Sequence, residues 1–255
     1  MGLNLHLYPS PIEFESRILR QTAADSGLPL PAPSAAMVAL ERYEYGRATR
    51  VTVPTPEIAA DPAWRQDGAS VNISAYGFPE WTGTVQRGER VNGRVVFGGE
   101  IGYRKGIDRL MAALPDPARG ARECVLFGRP VRGFPVADIP SWWQLPGYVG
   151  STQMREELAR ASVLVLLSRE EGMARVGQEA LACGTPIVVS PESGLASWLA
   201  DGGGFSVDPT DPQAVRDAFE RLDDDWEHHS RVALQTARSW SWQDHASTVL
   251  EGLVG

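Results

Sequence analysis

From about Arg94 onward, short apolar runs alternate with amphipathic stretches. Arg94–Gly98 (RVVFG) predicts a strand. After a polar loop, Ile107, Leu110, Met111 and Leu114 take the i, i+3, i+4, i+7 spacing of one buried helix face, which Pro115 ends. Cys124–Gly128 and Leu145–Val149 predict two more strands, and Ser151 is the expected N-cap of a helix that turns Met154, Leu158 and Ala161 inward. Ser162–Ser168 is continuously apolar, the pattern of a parallel strand covered on both faces. The following helix stops at Gly184. Pro186–Ser190 predicts a strand, Leu195–Ala200 a short helix and Gly204–Val207 another strand. Asp211 and Pro212 supply N-cap and N1 proline for a helix through Leu222, and a last helical segment contains Trp242 and ends near Leu253. Such alternation specifies an α/β domain around a parallel sheet.

The first 90 residues are less regular. Leu3–Leu7 predicts a strand, Glu13–Ala24 a helix, 27–34 a proline-rich loop and Ala35–Tyr45 a helix. Arg50–Val53 and Val71–Ala75 predict two further strands, and 81–92 reads as a linker. Two or three strands make a poor sheet alone. The expected organisation is a partial N-terminal Rossmann-like domain at 1–88 and a complete Rossmann-like domain at 89–255, with the last helix packing back on the N-terminal part.

Composition narrows the function classes. Hydrophobic residues make up 43% of the chain and charged residues 22%, ordinary for a globular protein, and the net charge of −8 argues against nucleic acid as a partner. Cys124 and Cys183 lack metal-ligand spacing and form no disulfide framework, which fits a reducing compartment. The absence of an 18-residue apolar run and of a basic-then-apolar start leads to the expectation of a cytoplasmic protein without a leader or span. One oddity stands out: of 24 basic residues only Lys105 is a lysine. A compact ammonium at one position fits a chemical role, although chance would also produce it.

In doubly wound sheets, ligands sit outside the carboxyl ends of the strands. The loop 98–106 (GGEIGYRKG) places paired glycines at a strand end and Arg104 and Lys105 at a helix start. Cations there oppose the helix dipole, unless an anion such as a diphosphate lies beside them. Solvated surface charge is the alternative. In 169–184, Glu171 follows a buried strand and Glu179 lies one to two turns into the next helix. Both can point to one cleft, where Gly172 and the following amides offer donors and a carboxylate suits a ribose diol; two solvent-facing glutamates are the alternative. The loop 190–195 (SPESGL), with Gly194 at a helix start, is a weaker signal.

The string from Glu171 to Pro186, EGMARVGQEALACGTP, resembles the EGxxxxxxEAxACGxP signature of family 4 glycosyltransferases, which have the GT-B fold. Gly98-Gly99…Arg104-Lys105-Gly106 resembles that family's first donor loop, Leu145–Val149 its base-contacting strand end, and 204–209 the tail of its donor domain. The resemblance covers about 40–255. It implies a retaining, metal-independent transferase that moves a hexose from a nucleoside-diphosphate sugar to an acceptor, without a cofactor. By the same resemblance Lys105 and Arg104 bind the diphosphate beside Gly99, Glu179 binds the ribose, and Glu171 approaches the donor sugar. Gly172 and the amides of Met173 and Ala174 hold phosphate or sugar, and Tyr148 and Val149 lie near the base. Glu171 and Lys105 are the expected catalytic residues, and no metal site is expected.

This chain departs from the family at Glu100, where an arginine is common, and at Ser197, where a glutamate is common. The resemblance also implies about a further half-domain before Leu3–Tyr8, carrying a glycine-rich acceptor loop and a histidine. A second expectation follows: a nucleotide-sugar-binding module whose acceptor side comes from a partner chain. The acceptor would be a glycan, lipid or small molecule, and peripheral membrane association is a further expectation beside the partner chain. A GT-B epimerase would want more carboxylates and a histidine in the first half. His6 reads as a strand-end histidine, His228, His229 and His245 as surface or packing residues, Asp223–Asp225 as a solvated helix end, and Trp142-Trp143 as cover for an apolar edge.

Overall fold

The structure is a computed structural model that describes residues 3–6, 12–30, 32–60, 70–81, 90–114 and 123–254. In chain order its elements begin with β1 (Leu3–His6), α1 (Ile12–Ser26), α2 (Ala35–Tyr45), β2 (Ala48–Val53), α3 (Pro56–Ala60) and β3 (Ser70–Ile73). There follow β4 (Val95–Gly98), α4 (Ile107–Ala113), β5 (Cys124–Phe127), β6 (Gln144–Gly147), α5 (Ser151–Arg160) and β7 (Val163–Leu166). The chain ends with α6 (Arg175–Ala182), β8 (Ile187–Val189), β9 (Gly204–Ser206), α7 (Pro212–Asp224), α8 (Trp226–Arg238) and α9 (Trp242–Val254). Contacts group Met1–Gly77, Arg169–Met173 and Trp240–Gly255 into a first unit, and Phe78–Ser168 with Ala174–Ser239 into a second.

In the first unit β1, β2 and β3 form a parallel sheet in that order. Val51, Val53, Ile58 and Ala59 make its apolar cluster, with Ala48 and Val71 against it. The N-terminal amides of α1 are satisfied from α2: Ile12 and Glu13 donate to the Glu41 carboxylate at 2.5 and 2.8 Å. Arg42 pairs with Glu13 beside it, and that guanidinium holds the Glu13 carboxyl below its ordinary pKa. Helix α9 is fastened to 72–77. The Trp240 indole N–H donates to Ala75 O at 2.9 Å, His245 Nδ1 lies 2.8 Å from both Ser74 Oγ and Ala75 O, and Asn72 Nδ2 donates to Thr248 O at 3.1 Å. Gly77 lets the backbones touch, since a Cβ there would stand 2.2 Å from Trp242 N.

In the second unit six parallel strands run in the order β6-β5-β4-β7-β8-β9. β4, β5, β7 and β8 are buried along their whole length, as strands covered on both faces must be. Ile107, Leu110 and Ala113 are the buried face of α4, while Met111 is half-buried. Helix α6 ends in a Schellman turn: Gly184, at φ +73°, donates to Leu181 O and Thr185 donates to Ala180 O, both at 2.9 Å. Buried Arg94 joins Glu123 to Glu157, at 3.3 and 2.5 Å.

Several expected boundaries shift. Ser151 is the first helical residue of α5 rather than its cap, because extended Gly150 takes the N-cap position. The strand expected at Leu145–Val149 is Gln144–Gly147, since Gln144 is the residue in register with Val125. The helix expected over Leu195–Ala200 is one 3₁₀ turn, Ala196–Leu199. Gly194, expected at a helix start, instead closes the 3₁₀ turn Pro191–Ser193 at φ +71°. Helix α3 has no counterpart in the expected pattern. Leu7, Tyr8, Pro115 and 82–89 of the expected linker lie outside the described residues, as does the His6 side chain.

Candidate functional site

The six-stranded order is the doubly wound 3-2-1-4-5-6 arrangement, so the chain reverses its direction of winding between β4 and β7. A ligand crevice belongs outside the carboxyl ends of those two strands. Missing side chains let a neighbouring side chain and a neighbouring backbone close up there. A Cβ on Gly98 would meet Val176 Cγ2 at 2.7 Å, and one on Gly106 would meet Leu167 O at 2.0 Å. Gly99 N donates to Phe127 O and Gly128 N to Gly147 O, each at 2.9 Å, which ties together the ends of β4, β5 and β6.

On the β4 loop Gly99 is exposed at φ +139°, and Lys105 Cε lies 4.0 Å from the position a Gly99 Cβ would take. The lysine stem therefore folds back over the strand end. Arg104 differs: its guanidinium lies 3.3 Å from Glu100 Oε2, so the carboxylate that departs from the family pattern engages the neighbouring cation. Beyond β6, Tyr148 is 73% exposed with the Arg129 guanidinium 5.9 Å from its ring centre, and Val149 is half-buried.

Residues 169–173 group with the first unit. Within them Glu171 is half-buried, while Gly172 and Met173 are buried. Ala174 is the N-cap of α6, and its amide donates to Ser193 O at 3.1 Å. That bond joins the start of α6 to the turn after β8. Glu179, fifth residue of α6, is half-buried. Burial pushes its pKa above the ordinary 4.5, partly opposed by the charge of Arg175.

The described helices differ in how their first amides are capped. Side chains cap α1 (Glu41), α2 (Ser34), α3 (Thr55), α7 (Asp211), α8 (Asp225) and α9 (Ser241). The three helices that follow β4, β6 and β7 begin at Gly106, Gly150 and Ala174, with no side-chain cap. These helix starts lie on the carboxyl side of the sheet, where a bound anion would meet them.

Two polar residues at this edge were not singled out by the sequence. Arg109 Nη1 donates to Leu167 O at 2.9 Å and Ser168 O at 3.2 Å, and Ser190 Oγ donates to Ser168 O at 2.7 Å. Elsewhere the bland expectations match their surroundings. Asp225 caps α8, Trp143 is buried against Trp142, His245 is buried on Ser74, and Cys124 and Cys183 are buried thiols, the latter raised to about 12. Among the described residues no group of three or more His, Cys, Asp or Glu is placed to hold a metal ion. No described helix is long and apolar enough to cross a membrane.

Comparison with known proteins places this edge in context. The family of group 1 glycosyl transferases matches residues 92–225. The D-inositol 3-phosphate glycosyltransferase of Paenarthrobacter aurescens is 40% identical over 95 residues, 36% of this chain and 23% of that protein. Its counterpart from Xylanimonas cellulosilytica is 28% identical over 170 residues, 62% of this chain and 41% of that protein. The matched stretches thus span well under half of those relatives' lengths. Among solved structures, sucrose-phosphate synthase from Thermosynechococcus elongatus matches with a TM-score of 0.70 at 18% identity, covering 93% of this chain and 64% of that one. Anabaena HepE in complex with UDP and glucose matches with a TM-score of 0.72 at 17% identity, covering 99% and 71%. Likenesses at such identity speak for the fold, which is α/β and GT-B-like, as the sequence implied. With the family matching more than half of its residues across the six-stranded sheet, the chain belongs to the group 1 glycosyl transferases.

Proposed function

We propose that the second unit binds a nucleoside-diphosphate sugar at the β4–β7 edge, and that the protein transfers the hexose to an acceptor with retention of configuration. The observation that carries this reading lies at the crevice itself: α4 and α6, the helices that follow β4 and β7, begin at Gly106 and Ala174 with no side-chain cap. Lys105, folded over Gly99, adds a positive charge at the same edge. Departure of the nucleoside diphosphate builds negative charge on the leaving phosphate. An ammonium and helix N-termini set in advance would stabilise that charge without reorganising. We assign this neutralising role to Lys105 and read the transfer as independent of a bound metal.

In this reading the Glu179 carboxylate accepts two hydrogen bonds from the ribose diol, and Glu171 with Gly172 and Met173 approaches the donor sugar. Tyr148 and Val149 flank the base, and Arg104, paired with Glu100 at 3.3 Å, exchanges that carboxylate for the diphosphate. UDP in the Anabaena HepE structure makes a uridine donor the first to try. The name of the curated relatives makes a polyol phosphate the first acceptor to try.

The test is calorimetric titration with UDP-, GDP- and dTDP-hexoses, followed by assays of donor hydrolysis and transfer. One donor should bind, and Lys105→Ala should weaken it about tenfold, the worth of one charge-assisted contact. Failure of every nucleotide to bind would overturn the reading. Binding without hydrolysis or transfer would favour a binding module that relies on another chain for its acceptor side.

A further inference from the structure

We infer that Arg109 is a positioning residue for the donor loops, clamping with Ser190 the two carbonyls through which the chain leaves β7. The inference rests on the donor-site reading above and extends it to a residue outside the proposed ligand contacts.

The ladder between β7 and β8 ends at Leu166, whose carbonyl takes the Ser190 amide at 2.9 Å. Leu167 and Ser168 then lie past the last paired position, at 1% and 0% exposure. Buried carbonyls need donors, and among the described residues the paired positions of β7 end before these two. Arg109 reaches in from α4 and gives Nη1 to both carbonyls, at 2.9 and 3.2 Å. From the other side Ser190, at the end of β8, gives its hydroxyl to Ser168 O at 2.7 Å. One guanidinium nitrogen shared by consecutive carbonyls fixes the turn of the peptide between them. That peptide is the last of the second unit before residues 169–173.

The clamp also joins the two loops. Arg109 sits three residues after Gly106, whose own backbone packs on Leu167 O, and four after Lys105. The helix that follows the lysine loop and the strand exit that leads to the glutamate loop thus share one carbonyl, Leu167 O, as a common reference point. Lysine at position 109 would keep the charge but lose the planar fork. Alanine would take the Arg109 donor from the buried Leu167 carbonyl and leave Ser168 O with the Ser190 hydroxyl.

The test is peptide-resolved hydrogen exchange on the intact chain and on its Arg109→Ala, Arg109→Lys and Ser190→Ala variants, run beside UDP titration. Arg109→Ala should speed exchange in 167–174 while β8 and α8 keep their protection, and should weaken UDP about tenfold. Arg109→Lys should bring UDP affinity back to within about threefold of the parent. A merely structural role would raise exchange across the whole second unit. That result, or unchanged exchange in 167–174, would overturn the inference. If Arg109→Ala fails to fold, Ser190→Ala and Arg109→Lys carry the same comparison of 167–174 with β8. If the parent binds no UDP, the donor reading loses its support while the exchange pattern still decides the clamp.

Discussion

The carbonyl oxygen of Leu167 lies where a side chain on Gly106 would begin: a Cβ on the glycine would stand 2.0 Å from that oxygen. The glycine is also left-handed, at φ +73°. Gly106→Ala therefore meets two penalties, a backbone conformation that costs an L-residue about 1–2 kcal/mol and a clash that only backbone movement relieves. The melting temperature should fall by roughly 5 °C or more, measured by calorimetry. Donor affinity should fall with it, because Lys105 is the adjoining residue. An unchanged melting temperature would mean that the β4 loop and the β7 exit are not in contact.

Glu100 and Arg104 give a separate prediction. Their pair is on the surface, at 3.3 Å with Glu100 65% exposed, so it contributes little to stability. Glu100→Gln should leave the melting temperature almost unchanged and tighten UDP binding a few fold, since it removes a negative charge from the proposed anion site. The gain should shrink as salt is added. Weaker binding in the variant would show that Glu100 holds Arg104 in its working position.

How far the sequence could be read depended on whether each signal was local. Ser162–Ser168 was legible because seven apolar or small residues in a row have no other home than a covered strand, and the observed β7 falls inside it. Asp211 was legible for a similar reason: its carboxylate caps Gln213 two residues away. Edge strand β6 was misplaced because its residues are mostly exposed and show no apolar run. Helix α3, with five residues, is too short for a helical period to register. Arg109 could not be found by periodicity, since its partners lie 58 and 59 residues further along the chain. The engagement of the Ala174 amide with Ser193 likewise depends on tertiary structure alone.

Gly77 sets the position of α9. A Cβ there would lie 2.2 Å from Trp242 N and 2.3 Å from its Cα, both backbone atoms that cannot rotate away. Gly77→Ala should push the start of α9 off 74–77 and strain the bonds of Trp240 to Ala75 and His245 to Ser74. Limited proteolysis should then cut within 239–255 faster than in the parent, while cleavage in the six-stranded sheet stays the same. Equal rates would show that α9 is held by other contacts.

Glu179 ties stability and binding together with opposite signs. Burial raises its pKa in the folded protein above the ordinary 4.5, with Arg175 opposing. A carboxyl raised in this way favours folding below its unfolded value, and that advantage is lost as pH rises through the folded value. At neutral pH the ionised Glu179 therefore costs stability, and Glu179→Gln should raise the melting temperature there. On the acid side of the unfolded value the gain should vanish. Donor binding should move the other way, because only the carboxylate accepts both hydrogen bonds of a ribose diol. Glu179→Gln should weaken the donor about tenfold, and the parent's affinity should begin to fall on acidification while ordinary glutamates are still ionised. A melting temperature lowered at neutral pH would show that the carboxylate supports the fold, and would remove the physical reason for placing a ligand beside it.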